Sequence, residues 1–275
     1  MPAGDGGLVR VRLDIAYDGT EFSGWAVQPG RRTVQGELEA ALARVLRVPA
    51  ALTVAGRTDA GVHASGQVAH LDVPQPIWVA IRGSLVRRLS GVLGGDVRVR
   101  GVAEVPAEFD ARFGALWRRY QYRITERESG ADPLRRHQVL SWRRPLDVAA
   151  MSAAAAQLVG LHDFVAFCKR RDNRTSIREL QLCRVERTGD GEIVCTAQAD
   201  AFCHSMVRSL VGALLAVGEG RRPVGWPAGL FGIDRRADEI VVAPAHGLTL
   251  VEVGYPPPDQ LADRARHTRM PRTLG

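Results

Sequence analysis

The sequence predicts an α+β fold built from two halves of similar layout, and three observations carry that prediction. Several runs alternate apolar and polar residues with a period of two, the pattern of antiparallel sheets with one buried and one open face. Between them lie segments whose apolar residues recur every three or four positions, as in helices that cover one side of a sheet. This mixture of strands with about two helices occurs twice, over residues 8–112 and 113–256, with flexible tails expected at 1–7 and 257–275. The expected architecture is two mainly antiparallel sheets side by side, with helices on one side and an open face on the other. A cleft between the halves would take a large ligand.

The first half opens with a strand in which Val9, Val11, Leu13, Ile15 and Tyr17 alternate with Arg10, Arg12 and Asp14, ending at the turn Asp18-Gly19. Thr33 offers an N-cap to a helix whose apolar face is Val34, Leu38, Ala41, Leu42, Val45 and Leu46. Strands follow at 51–55 and 67–73, then a helix from Ile77 to Leu89 and a strand from Asp96 to Val105. The second half begins with a strand at Arg118–Thr125, a loop, and an alanine-rich helix at Val148–Leu158. Strands at Ser176–Arg187 and Glu192–Asp200 are joined by Gly189-Asp190-Gly191, a hairpin signal. A helix from about His204 to Val217 and a strand at Leu248–Val253 complete it, before a polar, basic tail.

A content of 45% hydrophobic and 24% charged residues describes an ordinary globular chain. No apolar run is long enough to span a membrane, and MPAGDGGLVR lacks the apolar core of a signal peptide, so a cytoplasmic protein is expected. Cys168, Cys183, Cys195 and Cys203 form no C-x-x-C pair, which speaks against zinc and leaves buried, reduced thiols as the expectation. The net charge of +7 is carried almost entirely by arginine, which suits phosphates and stacked bases and makes a polyanionic partner plausible.

The stretch AGRTDAGVHASGQ, Ala55 to Gln67, sets Arg57, Asp59 and His63 among glycines and alanines. On residue chemistry alone, Asp59 is most simply a turn aspartate capping backbone N–H groups, with Arg57 its solvated neighbour and His63 packed. Other parts of the chain add weight to a site. Arg208 stands in the otherwise apolar helical stretch FCHSMVRSLVGALLAVGEG, where an arginine is costly unless a carboxylate or phosphate pairs with it. RRYQY, Arg118 to Tyr122, supplies alternating aromatics suited to a core or to stacking on a base. Glycoside hydrolysis would call for two suitably spaced carboxylates, and only one good candidate is present. His63, His70 and the distant cysteines make no convincing metal cluster.

GRTDAGVHASGQV resembles the signature loop of the TruA family of tRNA pseudouridine synthases. YDGTEFSGW with RTVQGELEAAL, FDARFGALWRRYQYRI, HDFVAFC, MVRSLVGALLAVGEGR and HGLTLVEVGY resemble that family's other blocks, in order, from about Val9 to Tyr255. The resemblance implies the pseudouridine synthase fold, with two ferredoxin-like halves around a central RNA-binding cleft, and a homodimer without metal or organic cofactor. It implies isomerisation of uridines 38, 39 and 40 in the tRNA anticodon stem-loop after the base is flipped out. Asp59 matches the catalytic aspartate and Arg208 the arginine that pairs with it. Tyr120 matches the tyrosine against the target base, Arg57 the loop arginine linked to extrusion, and Leu250 the apolar pocket floor. Ala26, where glutamine is common, Trp117, and the segment 86–95, which lacks the usual asparagine and Leu-Pro pair, depart from the pattern. The rival reading is an RNA-binding or RNA-chaperone protein of this fold that has lost turnover.

Overall fold

The computed structural model describes residues 7–169 and 175–268. Two compact units form, one from the chain up to Leu116 together with the chain from Glu252, the other from Trp117–Val251.

In the first unit the central strand is β1 (Leu8–Tyr17). Its alternation is realised directly: Val11, Leu13, Ile15 and Tyr17 are buried, while Arg10, Arg12 and Asp14 between them are partly exposed. Helix α1 (Val34–Leu46) starts at Thr33, whose hydroxyl accepts the Gly36 N–H at 3.3 Å. It ends at Arg47 in the left-handed conformation, φ 60°, whose N–H returns to Ala43 O. Leu38 and Leu42 are fully buried, each contributing about 1.5–3 kcal/mol of burial free energy. Strands β2 (Thr53–Val54) and β3 (His63–Pro74) follow.

The single helix expected over Ile77–Leu89 is two, α2 (Gln75–Ile81) and α3 (Leu85–Ser90). They part at Gly83 and Ser84, where glycine makes helix propagation expensive. Strand β4 (Val97–Glu104) pairs antiparallel with β1, which pairs antiparallel with β3; β2 adds to β3. Arg10 stands directly opposite Asp72 in this register and grips it through Nε and a second nitrogen, both at 2.8 Å.

In the second unit β5 (Trp117–Thr125) pairs with the short parallel strand β6 (Leu140–Ser141), to which the sequence reading assigned no element. Helix α4 (Val148–Ala156) is capped by Asp147, which accepts the Ala150 N–H at 2.9 Å. Strands β7 (Gly160–Asp163), β8 (Ile177–Arg187) and β9 (Ile193–Ala199) are antiparallel in the order β5-β9-β8-β7. The hairpin turn joining β8 to β9 holds Gly191 at φ +85°, a conformation glycine adopts without strain. Helix α5 (Met206–Gly218), buried along nearly its whole length, packs on α4, which itself lies on β8. The short α6 (Trp226–Gly229) and β10 (Leu248–Gly254) follow, and the chain passes between units within β10.

Beyond Pro256, where composition predicts a flexible tail, the chain forms helix α7 (Leu261–Thr268). Leu261 is buried and Arg264 donates to Ala115 O at 3.1 Å, contacts that hold the helix to its own unit. Residues 1–6 and 269–275 of the expected tails, and Arg170-Arg171, lie outside the described residues.

The cysteines correct the sequence reading in part. Cys168 and Cys203 are bridged, their Cα atoms 5.8 Å apart, within the range a disulfide spans. A sequence separation of 35 gave no local signal; the fold brings the end of a 3₁₀ turn (Val165–Phe167) to the segment that leads into α5. Cys183 and Cys195 are free and buried, and burial pushes the Cys183 thiol up to about 12. Among the described residues no helix is long and apolar enough to cross a membrane, and no group of three metal-ligating side chains forms.

Candidate active site

The loop between β2 and β3 is held from below, residue by residue. Trp25 N–H donates to Thr58 O at 3.0 Å, and Gly24 sits beneath the loop at φ +93°. A Cβ at Gly24 would stand 2.9 Å from Thr58 O and 3.2 Å from Ala60 N, so only glycine lets the two backbones meet. At the far end Gly19 packs as closely on Val62, and its N–H donates to His63 Nδ1 at 3.0 Å, with the Asp18 carboxylate 3.1 Å from the same nitrogen. His63 is 1% exposed: it anchors the loop rather than facing a ligand.

Burial along the loop alternates. Thr58 is buried, with its hydroxyl 2.7 Å from the Tyr17 hydroxyl, while Arg57 on one side is exposed and Asp59 on the other is half-buried. The inward threonine thus separates an exposed cation from a half-buried carboxylate two residues on. Arg57 and Asp59 belong to the first unit.

The other three sequence-predicted residues, Tyr120, Arg208 and Leu250, belong to the second. Tyr120 lies on β5 opposite Ala197 of β9, and its ring meets Phe202 edge-on, with centroids 5.2 Å apart and planes at 88°. Two residues along, Tyr122 is fully buried, donates its hydroxyl to Pro244 O at 2.9 Å, and is driven above the ordinary tyrosine range by desolvation. Arg208, in the first turn of α5, donates through Nε to Ala243 O at 2.6 Å, and Ala243 N–H returns to Arg208 O at 3.1 Å. The dipeptide Ala243-Pro244 thus fixes both the arginine and the strand that carries Tyr120. Leu250, on β10, is fully buried.

Phe202, Tyr122, Ala243-Pro244 and Tyr17 were not singled out from the sequence. The signal available for Tyr17 was a hydroxyl at an inward-facing strand position, which demands a buried partner.

One glycine makes the Arg208 anchor possible. A Cβ at Gly212, one turn along α5 from Arg208, would stand 1.9 Å from Val241 O. Gly212→Ala is therefore expected to destabilise the protein by about 2–4 kcal/mol, lowering the denaturant midpoint with little change in slope, because backbone has to move.

The adjacent arginines Arg135-Arg136 and Arg221-Arg222 are engaged locally. Arg135 reaches Glu192 at 2.7 Å, Arg136 donates to Pro133 O, Arg221 pairs with Glu219, and Arg222 with Glu239 at 3.0 Å. Arg82, Arg87 and Arg88, beside and within α3, are exposed and have no ion pair among the described residues. Trp117 is covered by the Arg119 guanidinium, 4.6 Å from its ring centroid.

A family model described as tRNA pseudouridine synthase matches residues 154–256. Three proteins named tRNA pseudouridine synthase A are similar over nearly the full length. That of Frankia casuarinae is 60% identical over 97% of this chain and 96% of its own. That of Streptomyces griseus is 56% identical over 98% and 95%, and that of Mycobacterium leprae 50% identical over 95% and 94%.

Proposed function

The chain belongs to the tRNA pseudouridine synthase A family, and from that premise we propose that it converts uridine to pseudouridine at positions 38, 39 and 40 of the tRNA anticodon stem-loop. It is an isomerase acting on tRNA. The reaction breaks the C1′–N1 bond, turns the uracil and joins C1′ to C5; the C5 hydrogen leaves as a proton and N1 gains one, so no net group or electron is transferred. Asp59 is the reacting carboxylate. The observation that supports this reading is the buried, hydrogen-bonded Thr58 between exposed Arg57 and half-buried Asp59.

The uridine first has to leave the base stack, at a cost of a few kcal/mol. Exposed Arg57 fills the space it vacates, and Tyr120 holds the freed uracil by stacking while Leu250 forms the apolar floor. Arg208 supplies the cation opposite Asp59, which keeps a charged carboxylate tolerable away from bulk water. Phosphate contacts by arginines outside the site, with exposed Arg82, Arg87 and Arg88 as candidates, supply most of the affinity, which falls as salt rises. The working form is a cytoplasmic homodimer.

Tritium release from tRNA labelled at uridine C5 tests the reaction directly, because the new C1′–C5 bond expels that hydrogen. Wild-type protein is expected to release tritium from tRNAs carrying uridine at 38, 39 or 40 and not from tRNAs lacking all three. Tight binding without release from any such tRNA would leave the non-catalytic RNA-binding reading in its place.

A further inference from the structure

We propose that Tyr17 and Gln67 are positioning residues for the reaction, holding through Thr58 and Gly56 the backbone on either side of Arg57 so that Asp59 meets its substrate at a fixed place. The inference rests on the assignment of Asp59 as the reacting carboxylate.

The orientation of the Gln67 amide is fixed by its partners. Gln67 Oε1 accepts the Val68 N–H at 3.2 Å, and Gln67 Nε2 donates to Gly56 O at 2.8 Å. A carbonyl oxygen can only accept, so the amide cannot be flipped. Nε2 also donates to the Tyr17 hydroxyl at 3.3 Å, and the Tyr17 and Thr58 hydroxyls share a hydrogen bond at 2.7 Å in which either can be the donor. Tyr17 is 5% exposed, Gln67 0% and Thr58 6%, so water is no competitor for these bonds. Burial also pushes the Tyr17 hydroxyl up to about 12, which keeps it neutral at working pH.

The placement argues for more than folding. Tyr17 and Gln67 sit on the paired neighbouring strands β1 and β3, 41 and 11 residues from the loop residues they hold. Both strands thereby reach the loop on either side of Arg57, at Gly56 and Thr58. A polar pair at inward strand positions costs desolvation that valine or phenylalanine would avoid. Its return is a carboxylate whose position is set by a rigid sheet, which is what a displacement at a single carbon centre requires.

Tyr17→Phe removes one oxygen and leaves the ring. With labelled tRNA under single-turnover conditions, well below the melting temperature of every variant, its rate is expected to fall about 10- to 100-fold. Affinity for tRNA should stay within about 3-fold, since no tRNA-contacting residue is touched. Thr58→Val should lose a similar factor, Thr58→Ser should recover most of it, and Tyr17→Phe/Thr58→Val should be little worse than either single change. If Tyr17→Phe does not fold, the Thr58 pair decides alone. Folded variants with wild-type rates would overturn the inference, as would losses that multiply in the double variant. Asp59→Ala in the same assay separates the two claims: if it still releases tritium, the aspartate assignment fails; if it is silent while Tyr17→Phe is fully active, only the positioning claim fails.

Discussion

Asp59→Asn is expected to bind tRNA as tightly as wild type and to lose turnover by at least ~10³-fold. The substitution keeps size and shape and removes the charge and the basic oxygens. Three bonds that hold the loop, Trp25 N–H on Thr58 O, Val62 N–H on Asp59 O and the Tyr17–Thr58 contact, do not run through the Asp59 carboxylate. The loop should therefore keep its course, and melting temperature should move little. Because the loss concerns an interaction made only as bonds change, it should appear in the rate constant and not in Kd. Filter binding and tritium release on one protein preparation check both halves. Loss of binding in step with loss of rate would make Asp59 part of the tRNA grip instead.

What could be read in the sequence was whatever is local. The strand Leu8–Tyr17 and the Thr33-capped helix were legible because alternation, apolar stripe and cap all lie within one element. The break at Gly83 was misread because the apolar period runs on through it, while the cost of a glycine and a serine together is felt only once Leu85 and Leu89 are packed separately. The tail helix went unseen because its anchors, buried Leu261 and the Arg264 bond to Ala115 O, lie in a segment of polar composition.

The five candidate site residues came from motifs, but the contacts that hold them did not. Thr58 is buried by partners 41 and 33 residues back, Tyr17 and Trp25, and Gly24 is glycine because of a backbone met only in the fold. The Cys168–Cys203 bridge and the Ala243-Pro244 anchor are of the same kind: contacts between distant segments leave no period and no spacing to read.

Arg208→Ala is the second large effect expected, a fall in rate of about 10²–10³-fold with tRNA affinity nearly unchanged. The anchor makes the case. With Nε committed to Ala243 O at 2.6 Å, the plane of the guanidinium is fixed before any substrate arrives, and a preset cation costs no reorganisation in the transition state. The helix does not depend on that side chain, since the Ala243 N–H to Arg208 O bond is made by backbone and survives truncation. Arg208→Lys separates charge from geometry: an ammonium restores the charge but has no second, rigidly coupled donor once one is given to Ala243 O. The lysine variant should therefore regain only a small part of the lost rate. Full recovery would mean that charge alone suffices, and a loss confined to tRNA affinity would move Arg208 from the reacting centre to the phosphate-binding surface.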